Sequence, residues 1–187
     1  MRTLSILRSL SLAAAASLIA SAAAAAQHDH HAEASVKNSQ IRIPESIRLE
    51  HEEIHAELVR ATQLSGPVGD AARELAAVLH PHFVREEQIA LPPLGLLAAL
   101  ARGEYDAGMQ QVLPMTDSLR AELPRMLQEH KAIHAATLKL GEVARAAKNE
   151  PVARLADALK VHAQSEEEVF YPAAILVGEL VRMRHRP

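Results

Sequence analysis

Two stretches of this chain repeat one pair of chemical words, and the pair restricts the fold more than any other feature. Glu50-His51-Glu52-Glu53-Ile54-His55 recurs as Glu129-His130-Lys131-Ala132-Ile133-His134. His82-Phe83-Val84-Arg85-Glu86-Glu87-Gln88-Ile89 recurs as His162-Ala163-Gln164-Ser165-Glu166-Glu167-Glu168-Val169, and each copy runs into a proline, Pro92 or Pro172. The halves keep step, with 31 residues from His51 to His82 and 32 from His130 to His162. A duplicated His-x-x-x-His and His-x-x-x-Glu pattern is what a dinuclear site inside a four-helix bundle requires.

The chain has 187 residues, which favours one domain. It is rich in Ala and Leu, with 7 Gly and four aromatic residues, a composition that suits helices better than sheet. The core must therefore be aliphatic. A net charge of −3 gives no case for nucleic acid as a partner. With no Cys, disulfides, thiolate ligands and cysteine-held clusters are excluded.

Residues 1–26 read as a secretory signal peptide. Arg2 and Arg8 supply the charged start, Leu10 to Ala20 a short apolar stretch, and Ala24 and Ala26 the small residues before a cleavage near Ala26. The apolar run is short and diluted by Ala and Ser for a membrane span. The expected location is periplasmic or secreted, with no stable membrane insertion after cleavage. Loss of Arg2 and Arg8 leaves 18 Lys and Arg against 23 Asp and Glu, a net charge of −5. Residues 27–42, with His28, His30 and His31, read as a polar, disordered leader. The domain proper is expected over 43–187.

Four helical patterns follow. The first starts near Pro44 and runs to about Leu64, with Ile47, His51, Ile54, Leu58 and Ala61 on its apolar stripe. Gly66, Pro67 and Gly69 are expected to form a turn, with Asp70 capping a second helix to Leu91. Its expected stripe is Leu75, Val78, His82, Glu86 and Ile89. Residues 94–115 hold a short apolar helix, Leu94 to Leu100, and a glycine-punctuated loop, expected as a packing connector. The third helix carries Leu119, Leu123, Met126, His130, Ile133, Thr137 and Leu140, and Pro124 either lies in its first turn or kinks it. After a turn at Asn149-Glu150-Pro151, the fourth carries Val152, Leu155, Leu159, His162, Glu166 and Val169, and Pro172 bends or ends it. The fold class expected is all-α: an up-down-up-down four-helix bundle with a short extra helix between the second and third.

Facing selects among the polar residues. Glu86 lies four residues after His82, about 40° round the helix, whereas Glu87 lies about 140° away. By the same arithmetic Glu166 faces inward with His162, and Glu167 and Glu168 do not. His80 should face out. His55 and His134 each lie about 40° from His51 and His130. Counting residues from the two hairpin turns places all these groups within roughly two helical turns of one level. A single histidine on an apolar stripe is usually a hydrogen-bonded core residue. Four at one level with two inward carboxylates are different, because unpaired buried carboxylates cost several kcal/mol each. No Lys or Arg lies on the stripes near that level, so a cation is the one neutralising partner left. Imidazole suits Fe, Zn, Mn and Cu, and two carboxylates can bridge two ions.

The chain resembles the hemerythrin-like, or HHE cation-binding, domain family over about residues 44–172. The resemblance rests on Glu50-His51, on His82-x-x-x-Glu86-Glu87-Gln88-Ile89 with Pro92, on Glu129-His130, and on His162-x-x-x-Glu166 through Pro172. It implies an up-down four-helix bundle with two non-haem iron ions joined by an oxo or hydroxo bridge; zinc or manganese are the other metals expected. It implies that His51, His82, His130 and His162 are terminal ligands and that Glu86 and Glu166 bridge. His134 matches the extra third-helix ligand of the O2-carrying hemerythrins, and His55 is read as a supporting or core residue. In those carriers the last carboxylate comes five residues after its histidine; here the better-facing one comes four after. That departure places the chain nearer a broader bacterial group, whose roles include O2 or NO sensing, iron handling and di-iron repair chemistry.

The expected function is thus an exported metal-binding protein that binds O2, NO or iron at a di-iron centre for sensing, storage or stress protection, without turnover and with no catalytic residue assigned. The alternatives are a redox enzyme acting on peroxide or NO at the same centre, and a structural or zinc-binding bundle.

Overall fold

The computed structural model describes residues 41–185. The expected signal peptide and most of the leader lie outside them. The described residues contain only helices and turns. Helix α1 spans Glu45–Thr62, α2 Gly66–Ile89, α3 Leu97–Ala101, α4 Leu113–Ala146, α5 Glu150–Ser165 and α6 Tyr171–His185. Two 3-10 segments, Pro92–Leu96 and Ala107–Val112, flank α3, and a π-helical turn, Glu166–Phe170, joins α5 to α6. None of the described helices is long and apolar enough to cross a membrane.

The four long elements close a ring. α1 packs on α2, α2 on α4, α4 on α5, and α5 back on α1. Their apolar stripes form two separate layers. One holds Ile54, Leu58, Leu75, Leu79, Phe83, Ile133, Leu140, Leu155 and Leu159. The other holds Ile47, Ile89, Leu91, Leu94, Leu119, Met126 and Tyr171. Along every helix the polar inward residues fall between the two: His51 between Ile47 and Ile54, His82 and Glu86 between Leu79 and Ile89, His130 between Met126 and Ile133, His162 and Glu166 between Leu159 and Tyr171. The hydrophobic effect thus fixes the bundle from both sides and leaves the ionisable groups in a layer at its waist.

Some local expectations need correction, and others that the sequence left open are decided. The Gly66-Pro67-Gly69 stretch is the first turn of α2, not a loop before it, and Asp70 is not its cap. Gly66 takes φ +73°, which reverses the chain, and Pro67 then sits where a missing N–H is harmless. A Cβ on Gly69 would lie 1.7 Å from the Leu64 carbonyl oxygen, so only glycine fits. On α2 the inward residue is Leu79, 3% exposed, rather than Val78, 37% exposed. The third long helix begins at Leu113, with Pro114 in its first turn, so Pro124 lies inside it. Of the two outcomes expected at Pro172, a bend or an end, the fourth helix does not end there. Its hydrogen bonding widens to a π turn over Glu166–Phe170, and the chain stays helical to His185. Pro172 has no N–H with which to bond the Glu168 carbonyl, and the wider turn absorbs that loss. The turn also rotates Val169 outward, to 55% exposure, and Tyr171 inward, to 0%.

The connector packs as expected. Leu96, Ala99, Met109 and Val112 bury against Val177 and Val181 of α6. The register of α2 can be tested directly. Leu79→Ala should cost about 2–5 kcal/mol in urea unfolding, and Val78→Ala no more than about 0.5 kcal/mol. Equal losses would mean that Val78 shares the core.

Candidate metal centre

Six ionisable side chains converge at the waist: His51 from α1, His82 and Glu86 from α2, His130 from α4, His162 from α5 and Glu166 from the π turn. All six are at most 3% exposed. They form two donor groups. His82, Glu86, His130 and Glu166 have ligating atoms within 4.8 Å of one another, and so do His51, His162 and Glu166. Glu166 belongs to both. Its Oε1 lies 2.9 Å from His162 Nε2 and 3.5 Å from His51 Nε2, while its Oε2 lies 3.5 Å from His130 Nε2. Glu86 Oε1 lies 3.3 Å from His82 Nε2 and 4.0 Å from His130 Nε2. The two groups, either of which could hold a metal ion, share the Glu166 carboxylate.

The residues fit such ions on an independent count. Both ring nitrogens of His51 and of His162, Glu86 Oε2 and Glu166 Oε1 are buried without a hydrogen-bond partner. Orphaned buried polar atoms are rare in native proteins and call for an occupant. Cations on each side of Glu166 would meet the two Nε2 atoms and the carboxylate oxygens, while the two Nδ1 atoms face Glu87 and Glu50. Imidazole nitrogen and carboxylate oxygen together suit iron, manganese and zinc.

Carboxylates on neighbouring helices face the converging histidines. Each inward histidine turns its Nδ1 toward a carboxylate from the next helix of the ring. Glu129 of α4 accepts from His82 at 2.9 Å, and Glu167 of the π turn accepts from His130 at 2.8 Å. Glu50 of α1 stands 3.2 Å from His162 Nδ1, and Glu87 of α2 stands 3.6 Å from His51 Nδ1. The contacts run once around the bundle in a single sense. They also explain why the repeated words carry a doubled Glu and a Glu before His. Each outward Glu points off its own stripe, by about 100° from its inward neighbour, at a ligand on the adjoining helix. Such partners set the tautomer and direction of metal-binding imidazoles.

Motif reading passed over those four carboxylates; their repetition in both halves was the available signal. It also missed Tyr171. The tyrosine lies five residues after Glu166, which in an unbroken α-helix would put it about 140° off the inward face. The π turn brings it round. Its hydroxyl donates to Glu86 Oε1 and lies 3.0 Å from His130 Nε2. His134 is not brought into the group. One turn beyond His130, it is exposed and lines a surface pocket with Lys131 and Lys160. His55 is likewise exposed, beside His80.

Burial and the Glu166 charge raise the Glu86 carboxyl above its usual range. Burial acts the same way on Glu166, but the His162 and His51 rings outweigh it and hold that carboxyl low. Burial and the two carboxylates raise the Tyr171 phenol, which therefore keeps its proton. Burial opposes charge on His82 and His162. Glu86 and Glu129 beside the first, and Glu166 and Glu50 beside the second, outweigh it and push both up to about 9.

Two predictions follow from this layer. Glu129→Ala should weaken metal retention by roughly 10–100-fold in a chelator competition while the protein stays folded; an unchanged affinity would show that the carboxylate does not brace His82. In the metal-free protein, His82 and His162 titrate above the roughly 6.5 of an unfolded chain. The stability they contribute is complete below about pH 6.5 and is lost as pH rises through about 9. Its melting temperature should fall on the order of 10 °C across that window, and a flat profile would contradict the charged-histidine state.

A family model, the hemerythrin HHE cation binding domain, matches residues 42–174. No curated protein and no solved structure matches the chain. The matched span covers α1 through the π turn and contains all six converging donors. The chain belongs to the hemerythrin HHE cation-binding domain family, in agreement with the resemblance carried by its repeated motifs.

Proposed function

We propose that this is an exported protein whose waist holds two non-haem iron ions and that it binds O2, NO or further iron there without turnover. The observation that carries the reading is Glu166, buried at 1% exposure and common to both donor groups. A single structural zinc in the four-donor group would leave the buried His51 and His162 rings without an ion. Two groups that share a carboxylate suit two ions with positions left over.

Bound iron would supply open positions for a small ligand and a reversible one-electron change at each ion. The chain's own residues do the rest. Glu129 and Glu167 hold the His82 and His130 rings by hydrogen bonds, and Glu50 and Glu87 stand beside the His162 and His51 rings. The two aliphatic layers keep bulk water from the waist along the bundle axis, and Phe83, stacked 4.2 Å from the His51 ring, helps to cover the His51 and His162 side. Tyr171 holds a proton beside Glu86 and His130, where it can donate to a small anionic ligand. That one contact is also the specific support for the second reading, a redox enzyme acting on peroxide or NO, since such chemistry needs a proton delivered at the centre.

The test is iron uptake. Purified protein loaded anaerobically with Fe(II) and desalted should retain about two irons per chain, and His82→Ala fewer, read by metal analysis and optical spectrum. Fewer than two in the wild type would overturn the di-iron reading. Turnover of peroxide or NO well above the His82→Ala protein would move the function to the enzyme.

A further inference from the structure

The duplication that builds the centre also builds two mouths. Between α1 and α2 a surface pocket of about 310 Å3 is lined by His51, Glu52, His55, His80, Phe83 and Glu87, among others. Between α4 and α5 a pocket of about 360 Å3 is lined by His130, Lys131, His134, Lys160, Gln164 and Glu167. The positions correspond through the repeat: His51 with His130, Glu52 with Lys131, His55 with His134, His80 with Lys160, Glu87 with Glu167. Each mouth has an inward histidine as its floor and a bracing carboxylate at its side. They differ in charge. One presents two imidazoles and two carboxylates; the other presents two lysines, one histidine and one carboxylate. A divalent cation is drawn to the first and repelled by the second.

The first mouth has the donors of a metal site. His55 and His80 are exposed and approach from facing helices, with ring centroids 5.9 Å apart. At metal–nitrogen distances of about 2 Å, two imidazoles on one ion have centroids roughly 5–6 Å apart. Glu87, half exposed, lies between this pair's pocket and His51, with Oε1 3.6 Å from His51 Nδ1. Glu52 shares its carboxylate with Arg48, so Glu87 is the better-placed oxygen donor. The floor supplies the independent observation. His51 is 3% exposed, neither of its ring nitrogens has a hydrogen-bond partner, and it reaches Glu166 at 3.5 Å on its other side. Donors thus continue from the surface to the buried centre alongside Phe83, which stacks on one face of the His51 ring. Along the bundle axis the waist is closed on both sides by aliphatic side chains.

We propose that His55 and His80, backed by Glu87, form a surface capture site for a divalent transition-metal ion and pass it by way of His51 to the buried centre. The proposal rests on the reading of that centre as a metal site. Capture at an exposed pair of imidazoles raises the local ion concentration, and the acidic mouth favours inward transfer over escape.

Co(II) is a suitable probe because its ligand-field absorption reports nitrogen and oxygen ligation. Metal-free full-length protein is mixed with Co(II), the growth of absorption is followed in time, and the metal retained after desalting is counted. A separate equilibrium titration counts loosely held ions. The His55→Ala/His80→Ala protein should lose one loosely held ion, load roughly tenfold more slowly, and reach the same retained content as the wild type. His134→Ala, at the mirror mouth, should load at the wild-type rate. All three should share one melting temperature, since the substituted residues are exposed. An unchanged loading rate in the double variant, or an equal slowing in His134→Ala, overturns the proposal. Absence of retained Co(II) in every protein sinks the buried-centre reading and delivery to it, while the titration still decides whether His55 and His80 capture an ion.

Discussion

Two carboxylates, Glu86 and Glu166, lie at 0–1% exposure in the middle of an aliphatic helical bundle, and among the described residues no lysine or arginine is paired with either. Ionised groups of this kind cost several kcal/mol each unless opposite charge meets them. Everything near them serves that requirement. Four imidazoles converge on the two carboxylates, Tyr171 donates to one of them, and four further carboxylates turn back to hold the imidazoles. Without a cation the layer meets the requirement in part, by keeping His82 and His162 protonated; six of its buried atoms still lack a hydrogen bond. With a cation on each side of Glu166 the Nε2 atoms of His51 and His162 and the carboxylate oxygens among them would have partners, while the two Nδ1 atoms face Glu87 and Glu50. The family to which the chain belongs is one of cation-binding domains, and this geometry supplies the physical reason.

The aliphatic layers and the polar waist depend on each other. Two hydrophobic clusters hold the helices at the spacing that lets donors from four elements meet, and the donors occupy the gap between clusters. A waist of this type gives each helix a register, because sliding one helix by a turn would put a carboxylate against an isoleucine or leucine. Stability then comes from the layers, and uniqueness from the polar waist.

Much of the centre was legible in the chain because its spacing is helical. His82 with Glu86, and His162 with Glu166, are four apart and so share a face whatever else the protein does. His51 and His130 recur at the same place in each half. The outward carboxylates were harder to read. Glu50, Glu87, Glu129 and Glu167 each sit off their own helix's stripe, and their partners belong to a neighbouring helix, so no single-helix projection shows the pairing. Val78 and Leu79 are adjacent and both apolar; packing against α1 and α4 decided between them. His55 and His134 are alike in the sequence. Each lies a turn beyond the convergence of donors, exposed at one of the two mouths, and the residues across each mouth give the two places opposite character.

The sequence by itself determined that the protein is helical, that its halves are duplicated, and which six side chains share inward faces at one level. These are properties of spacing, and an α-helix converts spacing into direction with a fixed rule. Only the tertiary structure decided which carboxylate belongs to both donor groups, which outer carboxylate faces which imidazole, and that Tyr171 joins them. Those depend on distances between elements, and for Tyr171 on a π turn beside Pro172 where the fixed rule is broken.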